Sequence, residues 1–135
     1  MYEIVQHTAD IRIHVRADSM ESLFADALIA LMEVLYENAA DVGGATQKQE
    51  TLIESLDCTA LLVDFLNDAL TRCHVHRRRY TAAAFTLLTE TALTATLTSV
   101  AAGDFHEDVK AVTYHEADVQ GDADGRWKTT LVLDI

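Results

Sequence analysis

The period of the hydrophobic pattern changes at residue 17, and this change constrains the fold more than any other feature of the chain. In residues 10–17, DIRIHVRA, the apolar residues Ile11, Ile13 and Val15 alternate with polar ones, which predicts a strand with one buried face. In residues 18–38 the apolar residues instead follow a helical period. The predicted helical stripe consists of Phe24, Ala27, Leu28, Leu31 and Leu35. A strand followed directly by an amphipathic helix predicts a core between a sheet and a helix.

Local capping patterns predict where two helices begin and end. Asp18, with Glu21 three residues later, resembles a capping box, and the first helix is expected to end near Asn38. Asp57 is the predicted N-cap of a second helix over residues 58–73. The apolar face of this second helix is predicted to contain Leu61, Leu62, Phe65, Leu66, Ala69, Leu70 and Cys73.

Most of the remaining chain has alternating or threonine-rich segments, and threonine favours strands because its β-carbon is branched. The predicted strands cover residues 48–56, 81–89, 91–100, 109–119 and 126–135. The two threonine-rich strands are expected to form a hairpin joined at Glu90, and HVHRRRY at residues 74–80 is expected to be an exposed basic turn. We therefore predict a single α+β domain over residues 1–135, with a mixed β-sheet of six or more strands and two main α-helices packed on one face.

The charge of the chain limits its partners. The 135 residues include 22 acidic and 10 basic side chains, giving a formal net charge of −12. Binding to nucleic acid requires a cationic surface, so the excess of acidic residues disfavours direct RNA or DNA binding. The sequence lacks an apolar run of about 18 residues, and its N-terminal segment lacks the basic and apolar regions of a signal peptide. We expect a cytoplasmic protein that does not bind a membrane.

The two cysteines are not expected to form a disulfide within the chain. Cys58 and Cys73 both fall on the second predicted helix. At about 1.5 Å of rise per residue their Cα atoms are about 22 Å apart, whereas a disulfide requires Cα atoms within about 7 Å. The spacing of these cysteines does not suggest a zinc site.

Three separated stretches contain residues that are candidates for binding a metal or for another functional role. They are HTAD at residues 7–10, KAVTYHE at residues 110–116 and LVLDI at residues 131–135. Asp10, Asp134 and the main-chain carboxylate of Ile135 are oxygen ligands of the kind that Ca²⁺ and Mg²⁺ prefer. Taken singly, each residue has an ordinary structural interpretation: an aspartate at a strand start is usually a cap, and a lysine such as Lys110 is usually solvated.

Together these stretches, with LLVDFLNDAL in the second predicted helix, resemble the archease family. The resemblance extends over almost the whole chain. It implies a cytoplasmic, non-enzymatic cofactor of the RtcB-type RNA ligase, which joins RNA ends in tRNA splicing. Archeases promote guanylylation of that ligase and its repeated turnover, so tRNA would be contacted only through the ligase.

The resemblance also implies roles for individual residues. Asp10, Asp134 and Ile135 would form a tip that binds a divalent metal ion, calcium or alternatively magnesium. Asp10, Lys110 and Asp134 would act in ligase activation. His7 and His115 match the family motifs and are candidate supporting residues.

The strand predicted over residues 109–119 gives a further expectation for the second stretch. Lys110 and His115 should lie on opposite faces of this strand, because their positions differ by an odd number of residues. Lys110 should share a face with Tyr114 and Glu116. Of Lys110 and His115, we expect Lys110 to lie nearer the metal-binding tip.

Two alternatives from other functional classes remain open at this point. The first is a small metal-dependent phosphohydrolase that uses Asp10, Asp134 and His7. Two-metal phosphoryl chemistry usually needs more carboxylates than this set provides. The second is an RNA-binding or chaperone module, which the net charge disfavours.

Overall fold

A computed structural model describes residues 1–6, 9–36 and 44–135 of the chain. These residues form two helices and eight strands. In chain order they are β1 (Tyr2–Gln6), β2 (Asp10–Ala17), α1 (Met20–Tyr36), β3 (Gln47–Glu54), α2 (Cys58–His76), β4 (Arg78–Leu88), β5 (Ala92–Ala101), β6 (Ala111–Thr113), β7 (Gln120–Gly121) and β8 (Trp127–Asp134). The α+β class is confirmed.

The strands belong to two sheets, so the prediction of a single mixed sheet is wrong in this respect. One sheet has the order β1-β2-β8-β6, with β7 also paired to β8, and the other has the order β3-β5-β4. Every pairing among the described strands is antiparallel. The alternation in a single strand cannot distinguish one sheet from two, because it reports which face is buried and not which strand lies alongside.

The helices provide the physical reason for two sheets. Helix α1 contacts β1, β2 and β8 of the first sheet and β4 of the second, while α2 contacts β6 of the first and β3 and β4 of the second. The predicted stripe of α1 is buried, and the helix also buries Leu23, Ala30, Met32, Val34 and Tyr36. A helix with so wide an apolar surface needs cover on more than one side, and the two sheets supply it.

The helix termini agree with the sequence in part. Asp57 caps α2 as predicted, since its Oδ1 accepts a hydrogen bond of 2.8 Å from the Ala60 amide. The cap of α1 is Ser19 and not Asp18, because the Ser22 amide donates to Ser19 Oγ at 3.0 Å. The predicted end of α1 near Asn38 lies outside the described residues.

The basic segment at residues 74–80 differs from the prediction of an exposed turn. Helix α2 continues to His76, and Arg77 then adopts left-handed backbone geometry with φ 55°. The Arg77 amide donates to the Cys73 carbonyl at 3.0 Å, and β4 begins at Arg78. A left-handed cap residue satisfies the free carbonyls of a helix end, so the reversal takes a single residue.

Several other predictions are confirmed. The hairpin of β4 and β5 turns around Glu90, and β8 is the closing strand. Cys58 and Cys73 are free thiols, and burial raises the pKa of Cys73 to about 12, so this thiol stays protonated near neutrality. Neither α1 nor α2 is long and apolar enough to cross a membrane.

Candidate functional site

The site is built at one end of the five-stranded sheet, where β2 begins and β8 ends. Asp10 lies directly opposite Asp134 in the β2–β8 register, and Ala111 of β6 lies opposite Asp134 on its other side. Side chains at directly opposed positions leave the same face of a sheet, with Cβ atoms about 5 Å apart. The fold therefore brings together two carboxylates from the two ends of the chain, and we call Asp10 and Asp134 the acidic tip.

Arg12 organises the surroundings of the acidic tip. Its Nη1 donates to Asp10 Oδ1 at 2.9 Å, and its Nε donates to Glu116 Oε2 at 2.8 Å. Arg12 and Asp10 keep about a quarter of their side-chain surface exposed, at 25% and 28%. This half-burial orients one oxygen of Asp10 toward the guanidinium, and the sequence pattern had shown Arg12 only as a polar residue of the strand.

The edge strand β6 is held by a side chain of α2. Asn67 Nδ2 donates to the Val112 carbonyl at 2.8 Å, and the Val112 amide donates to Asn67 Oδ1 at 2.9 Å. An edge strand has unpaired backbone groups on its outer side, and Asn67 satisfies both groups of Val112. At the start of the same strand, the Lys110 amide donates to the Asp134 carbonyl at 2.8 Å. Asn67 thus fixes the strand that places Lys110 beside the acidic tip.

A second contact from α2 fixes the segment after β6. The Tyr114 hydroxyl donates to Asp64 Oδ1, while Ser55 Oγ donates to Asp64 Oδ2 at 2.6 Å. The hydrogen bond to Asp64 raises the pKa of Tyr114, with a smaller effect of burial. Asp64 and Asn67 both belong to the stretch LLVDFLNDAL, and their contacts with residues 112 and 114 give that stretch a structural role.

Comparison with known proteins identifies the family of the chain. A model of the Archease protein family matches residues 2–135. The chain belongs to the archease family. The archease of Methanosarcina mazei is 30% identical over 142 residues, covering 99% of this chain and 95% of that protein. The archease of Pyrococcus abyssi is 32% identical over 145 residues, covering 99% and 98%.

Solved structures show the same fold. The solution structure of a protein from Methanobacterium thermoautotrophicum has a TM-score of 0.70 at 23% identity, covering 99% of this chain and 98% of that one. The crystal structure of an archease from Thermotoga maritima also has a TM-score of 0.70, at 22% identity, covering 100% and 98%. At this level of identity the likeness concerns the archease fold only.

Of the two candidate supporting histidines, the structure describes His115, which lies after the end of a strand. Strand β6 ends at Thr113, and the Ala117 amide donates to the Tyr114 carbonyl at 3.1 Å, which closes a turn. His115 is exposed in this turn. The prediction that Lys110 and His115 occupy opposite faces of one strand is therefore wrong, as is the shared strand face of Lys110, Tyr114 and Glu116. His7 lies outside the described residues.

The turn itself has a backbone feature that the sequence pattern does not reveal. Glu116 has φ 60°, a left-handed conformation that is uncommon for residues other than glycine. Its carboxylate is the one that accepts the hydrogen bond from Arg12. The left-handed residue thus redirects the chain after β6 and returns a carboxylate to the β2 strand.

The chemistry of the acidic tip fits a hard cation in its donor type. Asp134 is exposed, and Asp10 has a second oxygen besides the one that accepts from Arg12. Within the described ranges, His, Cys, Asp and Glu side chains form no group of three or more that could hold a metal. The Asp134 carbonyl accepts a hydrogen bond from the Lys110 amide, and the side-chain carboxylates of Asp10 and Asp134 are the negatively charged oxygen donors of the tip. The Ile135 side chain packs partly buried against the core.

Proposed function

We propose that this archease activates an RtcB-type RNA ligase in the cytoplasm, promoting its guanylylation and its repeated turnover. The observation that supports the proposal best is the meeting of Asp10, Asp134 and Lys110 at one sheet end in a chain of this family. The protein acts as a cofactor without performing the ligation itself. It contacts tRNA only through the ligase, because its net charge of −12 opposes binding of the many phosphates along an RNA backbone.

In this proposal the acidic tip binds a divalent cation, calcium or alternatively magnesium. The Asp10 and Asp134 carboxylates and the main-chain carboxylate of Ile135 are the protein ligands. Calcium accepts six to eight oxygen ligands in flexible geometry, so water or groups of the ligase would complete the shell. The cation would draw the two opposed carboxylates together, and their mutual repulsion would be offset.

Lys110 has a separate role in the proposal. Its side chain is exposed, while its backbone amide is fixed by Asp134. A lysine ammonium group is a compact, mobile point charge. It can approach a phosphate of the nucleotide or a carboxylate of the ligase without being a metal ligand.

The proposal is tested by guanylylation of the cognate ligase with and without this protein. The expected result is faster transfer of GMP to the ligase in its presence, together with no release of phosphate from GTP by the protein alone. Equal guanylylation rates would contradict the activator function. Phosphate release by the protein alone would instead favour the phosphohydrolase alternative.

A further inference from the structure

The end of the five-stranded sheet opposite the acidic tip carries an uncompensated pair of cations. Arg16 of β2 lies directly opposite Lys128 of β8. Both side chains are exposed, and neither forms an ion pair with another residue of the part of the chain that the structure describes. Elsewhere on this sheet face, Arg12 is bound to two carboxylates and His14 Nδ1 is bonded to Thr130 Oγ1 at 2.9 Å. We call Arg16 and Lys128 the cationic pair.

The arrangement costs stability in the free protein. Like charges at directly opposed positions of an antiparallel sheet repel, and the pair is destabilising by a fraction of a kcal/mol. With 22 acidic residues against 10 basic ones, a carboxylate partner would be easy to supply. A counter-ion from outside the protein would remove the repulsion.

The cationic pair borders two open clefts. One cleft, of about 540 Å³, lies toward His14, Gln120 and Thr130. The other, of about 810 Å³, lies toward Arg126 and Trp127. Both cations line both clefts. These volumes are in the range of small-molecule sites, so a ligand of modest size can reach the two charges together.

Carboxylates also line these clefts, but most already have partners. Among the described residues they are Glu3, Glu116 and Asp118 in the first cleft and Asp18, Asp26 and Asp122 in the second. Four of them accept hydrogen bonds. Glu116 accepts from Arg12, Asp118 from Gln120 Nε2 at 2.7 Å, Asp26 from the Met1 ammonium group at 2.8 Å, and Asp122 from the amides of Asp124 and Arg126. Glu3 and Asp18 are exposed to solvent. Neither Arg16 nor Lys128 takes part in these contacts, so both charges of the cationic pair are available to a ligand.

We propose that the cationic pair is a binding site for the phosphate group of a small phosphorylated ligand. A guanidinium presents a planar fork that matches two phosphate oxygens, and an ammonium group adds a point charge. Chains of many phosphates are disfavoured by the net charge of −12. Arg16 lies six positions after Asp10 along β2, which is a distance of about 20 Å. This site is therefore distinct from the acidic tip and does not depend on the proposed function.

The test is a titration of the ¹⁵N-labelled, metal-free protein with sodium pyrophosphate, followed by NMR and compared with sodium chloride at equal ionic strength. The expected result is a saturable shift of the amides of Arg16, Lys128 and Gln120 with pyrophosphate only. Arg16→Gln and Lys128→Gln should each weaken binding about tenfold, since each removes a charge-assisted hydrogen bond. The double variant should lose saturable binding. Lys48→Gln removes an exposed lysine from the other sheet and should bind like the parent protein.

Three results would show that the cationic pair is not a phosphate-binding site. They are shifts that do not saturate, shifts confined to other regions, and unchanged binding by a double variant that melts like the parent protein. Orthophosphate in a parallel titration should bind the same residues more weakly, because it carries fewer oxygens and less charge. Tighter binding of a single-stranded RNA oligomer than of pyrophosphate, lost in the double variant, would show that the ligand is nucleic acid and would overturn the assignment to a small molecule.

Discussion

The two ends of the β2–β8 pair repeat one arrangement with opposite sign. At one end Asp10 faces Asp134, and at the other Arg16 faces Lys128. Each pair places like charges at directly opposed positions, which disfavours the folded state unless a counter-ion is present. The two ends differ in whether a residue of the protein neutralises the pair. Arg12 forms an ion pair with Asp10, whereas the cationic pair has no ion-pair partner among the described residues.

This difference indicates how each end responds to its ligand. Under the proposed function, a metal ion at the acidic tip would bind the oxygen of Asp10 that does not accept from Arg12, and Arg12 could keep its contacts with Asp10 and Glu116. A phosphate bound at the cationic pair, as proposed above, would displace only water and mobile ions. One carboxylate of the acidic tip is therefore held by a contact within the protein, while the side chains of the cationic pair have no ion-pair partner among the described residues.

The largest expected effect concerns the acidic tip. Asp10→Ala should abolish both cation binding and ligase activation, because it removes one of the opposed carboxylates. Stability should change by only about 0.5 kcal/mol, since a part-exposed ion pair contributes little. Calorimetric titration with Ca²⁺, a guanylylation assay and a melting curve measure the three quantities. Glu50→Ala, which removes an exposed carboxylate from the other sheet, is the control, and full activation by folded Asp10→Ala would contradict a role for the tip.

Lys110→Ala should separate the two functions of this sheet end. Ligase activation should fall strongly, while the affinity for Ca²⁺ stays within a factor of two or so, because the lysine side chain is not a ligand in the proposal. The same calorimetric and guanylylation measurements apply. Loss of Ca²⁺ binding in this variant would mean that Lys110 and the carboxylates form one unit.

Asn67→Ala should loosen the acidic end only. Two hydrogen bonds to Val112 are lost, and the free energy of unfolding should fall by about 1–3 kcal/mol. Amide hydrogen exchange at Val112 should accelerate, while exchange at Arg16 and Lys128 stays governed by the β2–β8 ladder. Thr71→Ala, at an exposed position of the same helix, is the control. Equal acceleration at both ends would show that the two ends are mechanically coupled.

The smallest expected effect concerns the cationic pair. Lys128→Glu converts a repulsive pair into an attractive one, and the free protein should gain about 0.5 kcal/mol of stability. The gain should shrink as salt screens the charges. Lys48→Glu makes the same change of net charge on the other sheet. Identical shifts of the melting temperature in both variants would mean that net charge, and not the opposed pair, sets the stability.

The sequence predicted correctly those elements that depend on interactions between residues close together in the chain. The strand at Asp10 and the cap at Asp57 were correct, because alternation and capping act over a few residues. The cap of α1 was placed one residue early, since Asp18 and Ser19 are both good capping residues and only geometry distinguishes them. The strand from residue 109 was predicted too long, because a left-handed Glu116 has no sequence signal comparable to that of glycine.

The parts of the site that the sequence could not predict depend on distant residues. Asn67 reaches Val112 across 45 positions, and Arg12 reaches Glu116 across 104. The three motifs indicated that Asp10, Asp134 and Lys110 act together, but they contained no information on which neighbours hold them. The division into two sheets was missed for a related reason, because pairing between strands is a non-local choice.

The position of β8 has a consequence for how the protein is made. It is the last strand in chain order, yet it lies between β2 and β6 in the five-stranded sheet. On the ribosome, synthesis proceeds from the N-terminus, so the three-stranded sheet has all its strands by residue 101 while β2 still lacks a neighbour on one side. Asp10 meets Asp134 only after β8 has left the exit tunnel. Under the proposed function, a nascent chain that has not yet released β8 cannot bind the cation or activate the ligase.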